Sequence, residues 1–389
     1  MNKETKSYLP QDIITNIFLR LPVKSLIRFQ CVCKNWKGLV QTPSFIYDHL
    51  RCSAHQSSFL FKNIEYPPGH TLCILNHDLQ LSEIQKPPFL DDDDWTVVGS
   101  INGLICFELR YPLSRIYVWN PATKETLEVP RALRAIKHHS YYPAGFGFCS
   151  TLNDYKIVRL FLHSDFSIYR VEVFSLSKGS WKDVDVGNTK GVIKITDKSI
   201  TCKGVVYWLA LKTDKVGNHQ YLYHYVIVSF DLTRELFTLI EMSTSFCCNT
   251  LTVFEEKLAM LNKRECETPE TSSIDLWVME GSIWIKICSI TPYPSFLRAN
   301  AIWRGRVVST GCSGLYLGCV VLFNLATHEI EESMWLHGLC NLMESYSYSS
   351  YVESLVPVCN IDNIKLKDSL SRRFKYTLLH CKHLLTLLF

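Results

Sequence analysis

The sequence predicts an α+β multidomain protein, in which a small module of three helices precedes a larger all-β body built as a propeller. Two observations carry this prediction. Apolar residues recur at helical spacing between residues 9 and 45, and a strand–turn–strand unit recurs about every 50 residues in the rest of the chain. With 389 residues and a hydrophobic content of 47%, the chain has ample material for a core.

The helical module is punctuated by prolines. The first predicted helix begins at Pro10 and ends before Pro22, because proline fits the first turn of a helix and pushes the preceding residue out of the α region. A second helix is predicted from about Val23 to Cys33 and a third from about Lys34 to Thr42, where Pro43 ends it. Apolar residues cover more than one face, so we expect some to bind another protein. A small helical cap on a larger domain is the alternative.

The order of residues in this segment, LP…I…LP…SL.R…VCK.W…L…P.F, resembles the F-box motif over residues 9–45. In that family the segment binds the Skp-type linker subunit of a cullin–RING ubiquitin ligase. Phe29, beside the usual basic Arg28, departs from the pattern and adds apolar surface. The resemblance implies that the interface and its immediate support comprise Leu9, Pro10, Ile13, Ile17, Leu21, Pro22, Leu26, Val32, Cys33 and Trp36.

The repeat unit of the body is an apolar strand that ends in an aromatic residue, a polar turn and a second strand. It recurs at Ile116–Pro130, Val171–Val186, Ile227–Met242, Ile274–Ile290 and Val320–Leu336. The aromatic anchors are Trp119, Phe174, Phe230 and Phe323, with Val278 in place of an aromatic. A further strand, opened by glycine or a polar turn, precedes each unit. Each repeat thus supplies about four strands in about 50 residues, which fits a kelch-like β-propeller blade. Five blades are clear and a sixth is predicted at Ser58–Gln85; a pair of packed β-sandwiches, which needs no such period, is the alternative.

A second resemblance supports the propeller and bounds it. WNPATKE, GFGF followed by DYKIVR, and WVM before SIW are similar to the F-box-associated domain of plant F-box proteins, over roughly residues 95–358. SYVESLVPV resembles the last strand of that family. We therefore expect an F-box at 1–50, a linker and possible first blade at 51–95, and the propeller at 96–358. The tail, 359–389, fits a short amphipathic helix packed on the body, an exposed extension, or a product of altered gene structure.

Composition excludes several classes of partner. The net charge is only +4 and no run of Lys and Arg exists, so nucleic acid is not an expected partner. The N-terminus has no apolar region of a signal peptide, and no apolar run of 18 or more residues predicts a membrane span. We therefore expect a cytoplasmic or nuclear protein. In such a reducing compartment its sixteen cysteines, which lack zinc spacing, are expected to be free thiols.

No motif of catalysis or cofactor binding is present. The acidic run Asp91–Asp94 fits a solvated loop, and His138–His139 fits a surface pair without nearby ligands. Gly145 and Gly147 lack the third glycine and the strand–helix context of a nucleotide loop. The sequence therefore predicts no catalytic residue, no metal and no cofactor.

These observations favour the substrate-recognition subunit of a Skp–cullin–F-box ubiquitin ligase. The helices would hold the linker subunit, and through it cullin and RING subunits, while the propeller would hold an unidentified target protein for ubiquitination and degradation. Aromatic residues in long loops are candidates for target contact, although they could instead cover blade edges. These candidates are Tyr111, Tyr141, Tyr142, Tyr221, Tyr293 and Phe296. The alternatives are an F-box scaffold outside a ligase and a propeller enzyme with a helical cap.

Overall fold

The computed structural model describes residues 9–65, 69–90, 95–109, 114–131, 142–187, 189–216, 220–242, 249–265, 271–313, 317–337 and 348–358. The helices come first and a 3-10 turn at Ala54–Gln56 follows them; another 3-10 turn, Pro88–Leu90, lies between strands. The helices are α1 (Gln11–Phe18), α2 (Val23–Phe29), α3 (Lys34–Val40) and α4 (Pro43–Ser53).

The helix α4 was not predicted. Pro43 follows the end of α3, as expected, but it also begins a new helix, because proline is tolerated in a first helical turn. Thr42 caps this helix, since its hydroxyl accepts a hydrogen bond of 3.4 Å from the backbone N–H of Phe45. The module therefore has four helices, where the sequence predicted three.

The described strands form six four-stranded antiparallel sheets, which are the blades of a propeller. Blade 1 contains β1 (Ser58–Glu65), β2 (Gly69–Leu75), β3 (Leu81–Ile84) and β24 (Tyr348–Tyr351). Blade 2 contains β4 (Trp95–Ile101), β5 (Leu104–Leu109), β6 (Arg115–Trp119) and β7 (Thr126–Glu128). Blade 3 contains β8 (Ala144–Cys149), β9 (Asp154–Leu162), β10 (Ile168–Ser175) and β11 (Ser180–Val184).

The other three blades follow in chain order. Blade 4 contains β12 (Val192–Cys202), β13 (Val205–Val216), β14 (Gln220–Asp231) and β15 (Leu236–Glu241). Blade 5 contains β16 (Asn249–Phe254), β17 (Lys257–Glu265), β18 (Thr271–Glu280) and β19 (Ile283–Pro294). Blade 6 contains β20 (Arg298–Trp303), β21 (Arg306–Ser313), β22 (Leu317–Asn324) and β23 (Ile330–His337). The prediction of a six-bladed propeller is confirmed.

The ring closes through strands from both ends of the body. The inner strands β24, β4, β8, β12, β16 and β20 each pack beside the next, and β20 packs beside β24. In blade 1 the inner strand β24 pairs antiparallel with β1, with Ser58 opposite Tyr351. The F-box is joined to the start of β1, and residues 352–358 leave the end of β24. Both connections therefore lie at this seam, on the same side of the ring.

The sequence anchors pack between blades. Trp119, Phe174, Phe230, Phe323 and Val278 are all buried. Each lies in an apolar cluster that draws residues from more than one blade; for example, Val278 of blade 5 and Phe323 of blade 6 share a cluster. The repeat is therefore explained by packing, because a single blade cannot bury both of its faces.

The GFGF segment forms the inner strand β8, where its glycines allow close packing. A Cβ atom on Gly145 would lie 2.4 Å from a methyl carbon of Val206, and one on Gly147 would lie 2.6 Å from a methyl carbon of Leu232. Both neighbours belong to blade 4, so the glycines let blades 3 and 4 approach each other closely.

The alternation of strand direction gives the propeller two distinct faces. Connections between the first and second strands of a blade, and between its third and fourth strands, lie on one face, here called the proximal face. Connections between the second and third strands, and from one blade to the next, lie on the opposite, distal face. Ile46 and Leu50 of α4 pack against the apolar cluster of blades 2 and 3. The 3-10 turn after α4 lies at the proximal face, where the carbonyl of His55 accepts a hydrogen bond from Arg304 in the first turn of blade 6.

Candidate partner-binding surfaces

The core of the F-box is small and aromatic. Phe18, Phe29 and Trp36 pack against one another with ring centroids 5.0–5.6 Å apart. Val23 and Leu26 are buried beside them. Because this core is formed by a few short helices, much of the apolar surface of the module remains outside it.

The predicted linker-binding residues divide into exposed and supporting groups. Leu26 is fully buried, and Leu21 and Trp36 are partly buried within the F-box core. Cys33 is exposed and caps α3, since its sulfur accepts a hydrogen bond from the backbone N–H of Trp36 at 3.4 Å. The other members are exposed: Leu9, Pro10, Ile13, Ile17, Pro22 and Val32.

The exposed group contains a stripe along α1. Ile13 and Ile17, one helical turn apart, are each 46% exposed, and Leu9 just before the helix is 57% exposed. On the other side of the same helix Phe18 is buried in the core. Val32, between α2 and α3, is 62% exposed. Tyr47 on α4 is also exposed, and the sequence analysis missed it because α4 was not predicted.

The strands connected by the long loops of the sequence prediction end on the distal face; these loops are residues 108–115, 134–144, 212–221, 264–273 and 293–300. They join second to third strands in blades 2, 4 and 5, and they join blade 2 to blade 3 and blade 5 to blade 6. The F-box lies on the opposite face from these strand ends.

The aromatic candidates in these loops occupy different environments. Tyr293 is fully buried; its hydroxyl lies 2.8 Å from the hydroxyl of Ser309, and its ring packs against Phe323. Tyr142 is buried against Phe161. These two rings are buried in the propeller and are not available to a partner. Phe296, by contrast, is 58% exposed on the distal face. Tyr221 lies in β14, and Tyr111 and Tyr141 lie outside the described residues.

The distal face carries other exposed aromatic and apolar residues that the sequence analysis missed. The strands β13 and β14 remain paired with each other as far as Val216 and Gln220. Their outer partners end earlier: β12 pairs with β13 only as far as Lys212, and β15 pairs with β14 only as far as Val226. Leu222 and Tyr223 are exposed on this projecting ribbon. The sequence signal for this ribbon is a strand-like pattern of period 2 that continues for more residues than a blade strand needs. Phe166 and Tyr169 are also exposed, around the turn between β9 and β10.

The propeller channel is crossed by a bulge in blade 4. Between Ile195 and Ser199 the pairing register of β12 with β13 shifts, and Lys198 extends towards blades 1 and 6. Its ammonium nitrogen lies 3.1 Å from the carbonyl oxygen of Asn300 and 3.4 Å from the ring centroid of Tyr348. Burial lowers the pKa of Lys198 to about 7, although the charge of Asp197 opposes this shift.

Other chemistry is sparse in the described residues. No three His, Cys, Asp or Glu side chains of the described ranges are placed to hold a metal ion together. Within those ranges no helix combines the length and apolar character needed to cross a bilayer. The cysteines characterised in the described parts of the chain are free thiols.

Comparison with known families agrees with this architecture. The family model of the F-box associated beta propeller domain matches residues 59–330. The chain belongs to this family. The F-box domain model matches residues 7–48, which include α1 to α3 and the first turns of α4. Both resemblances drawn from the sequence are thereby confirmed.

Curated relatives of this F-box-associated protein come from Arabidopsis thaliana. An F-box/kelch-repeat protein is 27% identical over 332 residues, covering 77% of this chain and 84% of the relative. A second protein, named as an F-box protein, is 27% identical over 376 residues, covering 90% of this chain and 99% of the relative. The F-box and propeller arrangement thus supports a role in substrate recognition in general.

Solved structures are more remote. YjhT is 10% identical with a TM-score of 0.36, covering 58% of this chain and 72% of that chain. A puromycin-hydrolysing peptidase of Mycobacterium tuberculosis is 10% identical with a TM-score of 0.37, covering 74% of this chain and 53% of that chain. Likeness at this level carries no argument about function.

Proposed function

We propose that this protein is the substrate receptor of a Skp–cullin–F-box ubiquitin ligase. The stripe formed by Leu9, Ile13 and Ile17, which is exposed on a domain matched by the F-box model, carries the proposal. An apolar stripe of this kind favours binding to a partner, because the burial of large apolar side chains away from water is favourable. The partner is the Skp-type linker subunit, which brings the cullin and RING subunits.

The two faces of the propeller divide the labour in this proposal. The F-box on the proximal face holds the linker subunit, and a target protein binds the distal face. Phe296 and Tyr223 support the second assignment, because aromatic residues are over-represented among interface hot spots. The receptor acts in the cytoplasm or nucleus as a non-catalytic adaptor. It contributes proximity, which converts a bimolecular encounter into a positioned one.

Binding of the full-length protein to a purified Skp-type linker subunit tests the first assignment. The variant Ile13→Asp/Ile17→Asp places charge on the exposed stripe and leaves the buried core residues unchanged. We expect affinity to fall at least about 30-fold, since hot-spot changes cost roughly 2 kcal/mol or more. Isothermal calorimetry gives the dissociation constants, and circular dichroism verifies that both proteins are folded.

A matched control lies on the propeller. Leu222→Asp/Tyr223→Asp alters two residues that are similarly exposed, at 52% and 59%, but lie on the distal face, opposite the F-box. This control should bind the linker subunit as the wild type does. Wild-type protein that is folded but does not bind, or equal affinity for both double variants, would reject the proposed docking surface.

The target-binding assignment is tested with the linker-bound receptor. In a pull-down, Tyr223→Ser/Phe296→Ser on the distal face should no longer retain the proteins that the wild type retains. Leu236→Ser, at another exposed residue of the propeller, should still retain them. Their abundance should rise when the Ile13→Asp/Ile17→Asp variant replaces the wild type. An unchanged abundance would favour a scaffold that acts outside a ligase.

A further inference from the structure

The turn between β6 and β7 of blade 2 is bonded to the C-terminal end of the described chain. Asn120 at this turn is fully buried. Its amide nitrogen donates hydrogen bonds to the carbonyl oxygens of Ser354, at 3.0 Å, and Val356, at 2.8 Å. These acceptors belong to residues 352–358, here called the strap, which follow the inner strand β24.

The strap lies between the F-box and the propeller. Leu355 packs into the F-box core together with Phe18 and Leu26. Val356 and Val358 pack into the cluster of blades 2 and 3, which α4 also contacts. A segment with side chains in both cores couples the positions of the two domains.

Blade 6 contains the same turn without the strap. In both blades the asparagine carboxamide oxygen accepts from two backbone N–H groups: those of Ala122 and Thr123 for Asn120, and those of Ala326 and Thr327 for Asn324. The amide nitrogens differ. That of Asn324 lies 3.4 Å from the carboxylate of exposed Glu331, whereas that of Asn120 reaches the strap.

Blade 4 shows that the turn itself does not require an amide. Asp231 stands at the corresponding turn, and its carboxylate accepts from the backbone N–H groups of Thr233 and Arg234 at 2.7 and 3.0 Å. An aspartate therefore makes the local contacts of this turn. What it cannot do is donate to a carbonyl, since an ionised carboxylate only accepts.

We propose that Asn120 is a positioning residue that holds the strap and thereby fixes the orientation of the F-box relative to the propeller. In the ligase, which rests on the proposed function, this orientation determines which lysines reach the ubiquitin-charged enzyme. The role is separate from the turn geometry, which Asn324 and Asp231 share.

Hydrogen–deuterium exchange of the full-length protein bound to its Skp-type subunit tests this role, and the unbound chain serves equally if no complex forms. Asn120→Asp keeps the turn acceptors and removes the two donors to the strap; Asn324→Asp is the matched control. We expect exchange in the strap and α4 to become at least about tenfold faster in Asn120→Asp, because two net hydrogen bonds are lost. Asn324→Asp should exchange there as the wild type does.

Two outcomes would overturn the proposal. One is unchanged exchange of the strap in Asn120→Asp. The other is equal acceleration in β5, β6 and the strap, which would mark Asn120 as a residue that stabilises the whole blade and not the coupling.

A second pair of variants decides the matter if Asn120→Asp does not fold. Glu125, in the same turn, accepts a hydrogen bond of 3.0 Å from the backbone N–H of Val358. Glu329 is its counterpart in blade 6, where its N–H makes the same 3.4 Å contact with a threonine hydroxyl. Glu125→Ala should accelerate exchange at the strap and Glu329→Ala should not. Equal behaviour of the two would refute the coupling.

Ubiquitin transfer gives a readout that a purely structural role would not move. In a reconstituted ligase, the lysines of the receptor that receive ubiquitin are mapped by mass spectrometry. We expect their relative occupancies to change at least about twofold in Asn120→Asp and to be unchanged in Asn324→Asp. An identical pattern in both would overturn the positioning role in transfer. Absence of ubiquitin from every protein would count against the proposed function, while the exchange experiment would still decide the coupling.

Discussion

The F-box and the propeller use apolar residues in opposite ways. The propeller buries its anchors, such as Phe230 and Phe323, between blades, so each blade completes the core of its neighbour. The F-box leaves Ile13, Ile17 and Val32 exposed, and its core is completed by Leu355 of the strap, which follows the last strand of the propeller. Repetition lets each blade complete the core of the next, whereas the short module uses the strap to complete its core and presents an exposed apolar stripe.

This comparison predicts that equal losses of apolar volume have unequal consequences. In the propeller they should reduce stability and leave linker binding intact. In the F-box core they should reduce both, and on the exposed stripe they should reduce binding alone.

The largest loss of stability is expected from Phe323→Ala. Phe323 is buried between blades 5 and 6, so its truncation leaves a cavity and should cost about 3–5 kcal/mol in the free energy of unfolding. Urea unfolding followed by tryptophan fluorescence measures this, and the folded protein should bind the linker subunit normally. Phe296→Ala, at an exposed ring, should change stability by less than about 0.5 kcal/mol. Similar costs for the two variants would contradict the packing assignment.

Leu26→Ala in the F-box should reduce stability less than Phe323→Ala does, but it should also weaken linker binding. The cavity in its small core should cost about 2–5 kcal/mol and loosen the helices that present Ile13 and Ile17. Calorimetry of linker binding and thermal unfolding should therefore both show a loss. Loss of stability with unchanged affinity would show that the exposed stripe does not depend on this core.

The seam is tested by a glycine pair. Gly103 and Gly305 occupy the same turn in blades 2 and 6, with φ of +81° and +72°, so alanine imposes similar backbone strain at both. A Cβ on Gly103 would also lie 2.3 Å from the hydroxyl oxygen of Ser354, whereas Gly305 has open space. Gly103→Ala should therefore cost about 1–3 kcal/mol more than Gly305→Ala in thermal unfolding. Equal costs would mean that the strap yields freely.

The smallest effect concerns the charge in the channel. Because burial lowers the pKa of Lys198 to about 7, the folded state holds fewer protons than the unfolded state above that pH. Stability contributed by this group is therefore lowest below pH 7 and rises as the pH increases towards the unfolded pKa. The free energy of unfolding of the wild type should rise relative to Lys198→Met between pH 6.5 and 8.5, by less than about 1.4 kcal/mol per pH unit.

Lys194→Met, at an exposed lysine of the same strand, is the control for this measurement. Its stability should follow the wild type across the same pH range. A parallel course of the wild type and Lys198→Met would contradict the perturbed pKa, and an opposite slope would contradict burial as its cause.

The candidate site was predictable where local pattern determines exposure. The α1 stripe follows from apolar residues on two faces of one helix, since only one face could be buried. The sequence predicts Tyr293 at the start of a long loop, yet β19 continues through it and its ring enters the core. The pattern of a single strand could not show which neighbouring blade would cover this ring.

Residues close in the chain are enough to predict the first three helices, the blade period and the anchors. The seam, the bulge at Lys198 and the partners of Asn120 emerge only when the chain folds, because they depend on which strands meet. Asn120 and Asn324 have nearly identical local sequences, NPATKE and NLATHE, and the same turn contacts. They differ because ring closure brings Ser354 and Val356 to only one of them, a contact between residues more than 230 positions apart.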